Sequence, residues 1–208
     1  MADTLDVIDI ETARSSLGVQ ARYDSLLAVY ITAVSRKLDD LCGPIVRRTI
    51  TDELHDGGAP IVQLRHGPVY SFTSVVEAQG TTSVTLTMQT FATAPAEGYI
   101  ARAHRTASAP YSGLLERVSG GLPSRFYAGT QTVKATYSGG RFADTASVDD
   151  RFTQAALMCL RNLWRNEQGQ VVPTPGELEV PTGSFARFTV PNAVKELLWD
   201  EMRLPGLA

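Results

Sequence analysis

The sequence predicts an α+β fold: N-terminal and C-terminal helices form a small helical bundle and bracket an antiparallel β-rich middle. Two periodicities carry that expectation. Apolar residues recur at spacings of three and four near both ends, over residues 1–50 and 147–208. Between them the period falls to two, as in strands with one buried face. The expected segments are 1–44, 45–146 and 147–208, with the first and last packing as one helical unit. A third observation bears on function. Nothing along the chain supplies a set of catalytic or metal-binding residues, so its work is expected at its surfaces.

In the N-terminal segment, Asp9 is placed to cap a short helix over residues 10–17, and Gly18 to end it. A longer helix is expected from Ala21 to Leu41. Leu27, Tyr30, Ile31, Val34, Leu38 and Leu41 share one face of it, which predicts core packing. Cys42-Gly43-Pro44 stops this helix, since glycine accepts a left-handed turn and proline cannot continue. From Ile45 to Tyr137 the chain reads as about five to seven strands. Ser83 to Thr90 and Thr132 to Tyr137 alternate polar and apolar residues; Ile61 to Leu64 and Val69 to Val76 are further strands. Gly67-Pro68 and Gln79-Gly80-Thr81-Thr82 read as turns. The stretches around 92–96 and 107–113 read as loops.

Ser147 is expected to cap a third helix that ends at Gln168, before Gly169. Phe152, Ala155, Ala156, Cys159, Leu160 and Leu163 share one face of it, and Leu157, Met158 and Trp164 widen the apolar surface. A helix apolar over most of its girth must be covered on several sides, which makes these last three candidates for a subunit interface. Residues 170–188, with Pro173, Pro175 and Pro181, have no periodicity and read as an extended linker. Pro191 suits the first position of a last helix whose inner face is Val194, Leu197, Leu198 and Met202.

Composition narrows the function classes. The formal net charge of −3 gives no electrostatic case for wrapping nucleic acid. Arg47-Arg48 and Arg102 to Arg105 are small basic spots only. Two cysteines do not make a secreted disulfide scaffold; Cys159 is expected as a buried thiol, with a disulfide to Cys42 left open. No apolar run approaches the ~20 residues of a bilayer span, and Met1 to Thr4 lack the pattern of a secretory leader. The expectation is a protein made in a cytoplasm. His55, His66 and His104 are scattered without ligand spacing, so no metal or cofactor is expected. The pairs Asp39-Asp40 and Asp149-Asp150 are expected at helix ends, in solvated or capping roles.

Five stretches taken in order resemble the head–tail adaptor (head-to-tail connector) proteins of long-tailed, siphovirus-like bacteriophages. They are Ile10 to Val19, the second helix with Cys42-Gly43-Pro44, Leu64 to Val75, Val133 to Gly140 leading into the apolar helix, and Val190 to Leu198 with Arg203-Leu204-Pro205-Gly206. The resemblance implies a non-enzymatic structural virion protein: a ring, commonly a dodecamer, that docks beneath the portal. Such a ring extends the DNA channel and receives further neck or tail-completion proteins. DNA passes through its lumen without specific binding, and the major capsid protein is a possible neighbour. It also implies a C-terminal arm reaching the portal or a neighbouring subunit, here Phe188, Val190, Pro191, Leu197, Leu198, Trp199, Arg203, Leu204 and Pro205. The middle segment is larger than in compact family members, and its partner stays open. Other classes also stay open: a tail terminator or minor tail ring protein, a cytoplasmic ligand-binding β-domain, and an enzyme with an unrecognised site.

Overall fold

The structure is a computed structural model that describes residues 3–90, 92–104, 109–168 and 190–202. It is an α+β protein with helices towards both ends and a strand-rich middle. Its described residues divide into two compact units. One is helical and is built from residues up to 38 and from 145 onward; the other holds residues 39–144.

In the helical unit, α1 spans Ile10–Leu17. Asp9 Oδ1 accepts a hydrogen bond from Thr12 N at 2.7 Å, and Gly18 closes the helix at φ 66°. Both ends therefore follow from residues that satisfy orphan backbone groups. Asp9→Ala should lower stability by about 1 kcal/mol, read as a lower urea midpoint with an unchanged slope. An unchanged midpoint would show that the cap is energetically idle.

Helix α2 is Asp24–Cys42 and starts later than the periodicity suggests, because Ala21–Tyr23 form a 3₁₀ turn. Leu27, Ile31, Val34 and Leu38 are fully buried, as their spacing requires. The segment before α1 is tied down by polar groups. The buried Asp6 carboxylate accepts from Thr32 Oγ1 at 3.0 Å, and Ser35 Oγ accepts from Val7 N at 3.0 Å. Helix α3 is Asp150–Gln168. Ser147 is not its cap; it belongs to the 3₁₀ turn Thr145–Ser147. Asp149 takes that place, and its Oδ1 accepts from Arg151 N at 2.8 Å. Thr145 Oγ1 donates to Asp6 O at 2.6 Å, which holds that turn against the N-terminal segment. Phe152, Ala155, Ala156, Cys159 and Leu160 form the buried face of α3. Helix α4, Asn192–Leu197, runs into the 3₁₀ turn Trp199–Glu201. Pro191 stands just outside α4 rather than in its first turn, because its ψ of 144° is extended.

The second unit is an eight-stranded sheet, one more strand than the upper expectation. Its strands are β1 Arg48–His55, β2 Ile61–Gln63, β3 Val69–Gln79, β4 Thr82–Met88, β5 Glu97–Ala103, β6 Tyr111–Ser119, β7 Leu122–Pro123 and β8 Val133–Gly139. The order is β1-β8-β3-β4-β5-β6-β2, with β7 on β6. Pairing is antiparallel except between β4 and β5, which is parallel. A pair between Val69 and Tyr111 joins β3 to β6, so β3, β4, β5 and β6 form a closed path. That path is closed by this one pair, while β1, β2 and β7 each keep an open edge among the described residues. Gly80, at φ 66°, sits in the predicted β3–β4 hairpin turn. The predicted loop around 107–113 is corrected in part: residues 111–113 open β6. Val69, Val75, Leu86, Leu115, Phe126 and Tyr137 fill the interior.

The end of α2 is not simply solvated. Asp39 accepts from Ile45 N at 2.9 Å and is ion-paired with Arg48, so it ties the helix exit to the chain entering β1. Cys42 and Cys159 are both free and buried, which closes the disulfide alternative.

Candidate functional site

The C-terminal helical face is set by local packing. Val190, Val194 and Leu198 are buried and hold α4 down, while Leu197 and Pro191 are half-buried. Trp199 is 72% exposed. One residue after a buried leucine, the turn leaves its indole no room in the core. Arg151 Nη2 reaches Glu201 Oε1 at 3.5 Å, while its Nε lies 3.4 Å from Asp149 Oδ1. That pair of contacts fastens the start of α3 to the turn after α4. Phe188, Arg203, Leu204, Pro205 and the linker lie outside the described residues.

The broad face of α3 is partly consumed by its own chain. Trp164 meets Tyr23 edge-on at 5.5 Å and Tyr30 at 6.2 Å between ring centroids. Such edge-to-face pairs are favoured by the ring quadrupoles. Leu157 and Met158 are half-buried beside the core residues. The excess apolar girth read from the sequence is therefore met, at Trp164, by aromatic side chains of α2 and the turn before it.

Two of the three histidines that look scattered along the chain come together on one carboxylate. Glu53, on β1, is buried. Its Oε1 lies 2.6 Å from His55 Nε2 and accepts from Arg65 N at 2.7 Å. Its Oε2 lies 2.7 Å from His66 Nδ1 and accepts from the Tyr137 hydroxyl at 2.7 Å. Burial pushes such a carboxyl upward. The hydrogen bonds from His55, Arg65 N, Tyr137 and His66 outweigh that and hold Glu53 well below the usual carboxylate range. Carboxylate–histidine pairs orient imidazoles in many active sites. Here, among the described residues, neither imidazole is hydrogen-bonded to a hydroxyl or thiol that could serve as nucleophile. No group of three or more His, Cys, Asp or Glu among them could hold a metal ion. The cluster fastens the 64–68 turn to β1 and β8. His104 lies apart, its backbone N–H bonded to Pro110 O.

A second buried cluster centres on Arg117 of β6. Its guanidinium donates to Glu77 at 3.1 and 3.3 Å, to Gly98 O at 3.3 Å, and to Glu97 and Val118 O. Glu77 also accepts from Tyr127 N and Gln79. Burial again acts against the Glu77 charge; the bonds from Arg117, Gln79 and Tyr127 N prevail and lower its pKa. Sequence reasoning missed both clusters. Each is a satisfied interior network.

No protein-family model and no curated protein matches the chain. Among solved structures, the chain is similar to one from the neck of an empty GTA particle computed with C6 symmetry. The two share 14% identity at a TM-score of 0.52, over 96% of this chain and 92% of that one. The likeness spans both units, so the chain has the fold of that neck component.

Proposed function

We propose that the protein is a structural component of a phage-like particle's neck, and specifically a head–tail adaptor. In this reading it assembles as a ring beneath the portal, extends the DNA channel and joins the capsid to the tail. The observation that carries it is the near full-length likeness to a neck chain. The ordered motifs of the sequence support it independently. A dodecamer is compatible with the six-fold symmetry of that neck. The C-terminal stretch from Phe188, with Leu197, Leu198, Trp199 and the residues after Met202, is assigned to the portal or a neighbouring subunit. Leu157 and Met158 are assigned to contacts between subunits, with Trp164 supporting them from beneath. The sheet unit faces a further partner, with the major capsid protein or a neck-completion protein as candidates. No described helix is long and apolar enough to cross a membrane, and the proposed location is the virion.

The test is electron microscopy of particles from a parent phage with a stop codon in this gene. DNA-filled heads beside separate, complete tails are expected. Normal tailed particles in normal numbers would sink the adaptor reading.

A further inference from the structure

Among the described residues of the helical unit, two large hydrophobic side chains stand exposed: Val29 at 63% and Trp199 at 72%. Their surroundings carry opposite charge. Val29 lies on the outer side of α2, away from the buried Leu27, Ile31 and Val34. Residues three, four, seven and eight positions from it share that stripe. Ala33 and, two turns along, Arg36 and Lys37 therefore line it, all exposed. One carboxylate, Asp40, closes the stripe. No ion pair joins Arg36 or Lys37 to a described residue.

Trp199 is framed by acids. Asp200 follows it, and Glu196 precedes it by three positions on α4. The Arg151 link from Asp149 to Glu201 holds the start of α3 against this turn and brings Asp149 and Asp150 to the same end. Four exposed carboxylates there outnumber the two cations, Lys195 and Arg151.

We propose that these are the two halves of one contact between copies of this chain. Trp199 of one copy seats on the Val29–Ala33 stripe of the next, and its acidic frame faces Arg36 and Lys37. The inference rests on the ring reading above and names the contact that builds the ring. The charge complementarity points to a second copy, since both surfaces belong to the same chain. A contact between two different patches is head-to-tail, so each subunit keeps a free half and the contact propagates until a ring closes. A tryptophan anchored among near-neutral contacts is the usual centre of such an interface. Arg36 or Lys37 over the indole face adds a cation–π attraction. The surrounding charges orient the encounter more than they tighten it.

The test uses the full chain, mixed as heavy-isotope-labelled and unlabelled protein, with native mass spectrometry and carbodiimide cross-linking. Wild type should form multi-subunit species, with links between copies from Lys37 to Asp149, Asp150, Glu196 or Asp200. Trp199→Ala, and separately Arg36→Glu with Lys37→Glu, should raise the concentration needed for assembly by at least about tenfold while each keeps the wild-type melting temperature. Glu196→Lys with Asp200→Lys should fail to assemble alone and should co-assemble with the Arg36→Glu, Lys37→Glu chain. Variants that assemble like wild type, or links that map elsewhere, overturn this contact and leave the neck reading standing. A wild-type chain that stays monomeric at every concentration also overturns it. The neck reading itself then answers to the stop-codon particles alone.

Discussion

Replacing Glu53 by alanine should destabilise the protein by roughly 3–5 kcal/mol, a large share of the 5–15 kcal/mol typical of a folded domain. The side chain accepts from His55, Arg65 N, His66 and Tyr137. Removing it strands those groups in the interior, and each unsatisfied buried donor costs about 1–3 kcal/mol. Glu53→Gln should lose much less, because an amide keeps one acceptor and neutral imidazoles can switch tautomer. The pH dependence has a definite sign. The folded-state pKa of Glu53 is lowered, so its contribution is fully present above the unfolded-state value of about 4.3 and is lost as the pH falls through the folded-state value. Urea denaturation of wild type and Glu53→Ala should therefore differ most near neutral pH and converge in acid. Equal midpoints at neutral pH would show that the 64–68 turn does not depend on this latch.

Arg117→Met should cost a comparable 3–5 kcal/mol, for a different reason. It leaves Glu77, which is 1% exposed, as a buried charge without its ion partner. Pairing it with Glu77→Gln removes that charge while keeping an acceptor for Tyr127 N. The double variant should recover much of the loss. A double-mutant cycle read by urea denaturation measures the coupling, and additivity within about 0.5 kcal/mol would show that the two residues do not act as a unit. The buried pair is thus costly to break from one side while adding little over a well-packed apolar pair.

The same two clusters show where sequence reading stops. The caps of α1, the inner stripe of α2 and the alternation of β4 and β8 depend on neighbours within a few positions, and they were legible. Strand β1 was not, because Asp52 takes a positive φ of 53° and the pairing with β8 shifts between Ile50 and Glu53. That bulge breaks the period-two pattern and puts Glu53 inside. Strand β6 hides in the same way: Arg117 shares the inward register of Leu115, and a buried arginine disrupts an apolar alternation. Glu77, 40 residues away, and Glu97, 20 residues away, make that position tolerable. His55 and His66 meet through a strand pairing that no local spacing encodes. The sequence singles out Trp199 only by its place near the C-terminal end. Its acidic frame appears only once Arg151 fastens α3 to the following turn.

The helical unit is assembled from two stretches that the sheet unit separates in the chain. During translation, Leu27, Ile31, Val34 and Leu38 leave the ribosome well before Phe152 and Leu160 exist. The sheet, whose strands are continuous in the chain, has its whole complement of partners earlier. A nascent chain of this layout must carry a sticky helix past a folding β module before the bundle can close. In the cell that interval is where a chaperone has its opportunity.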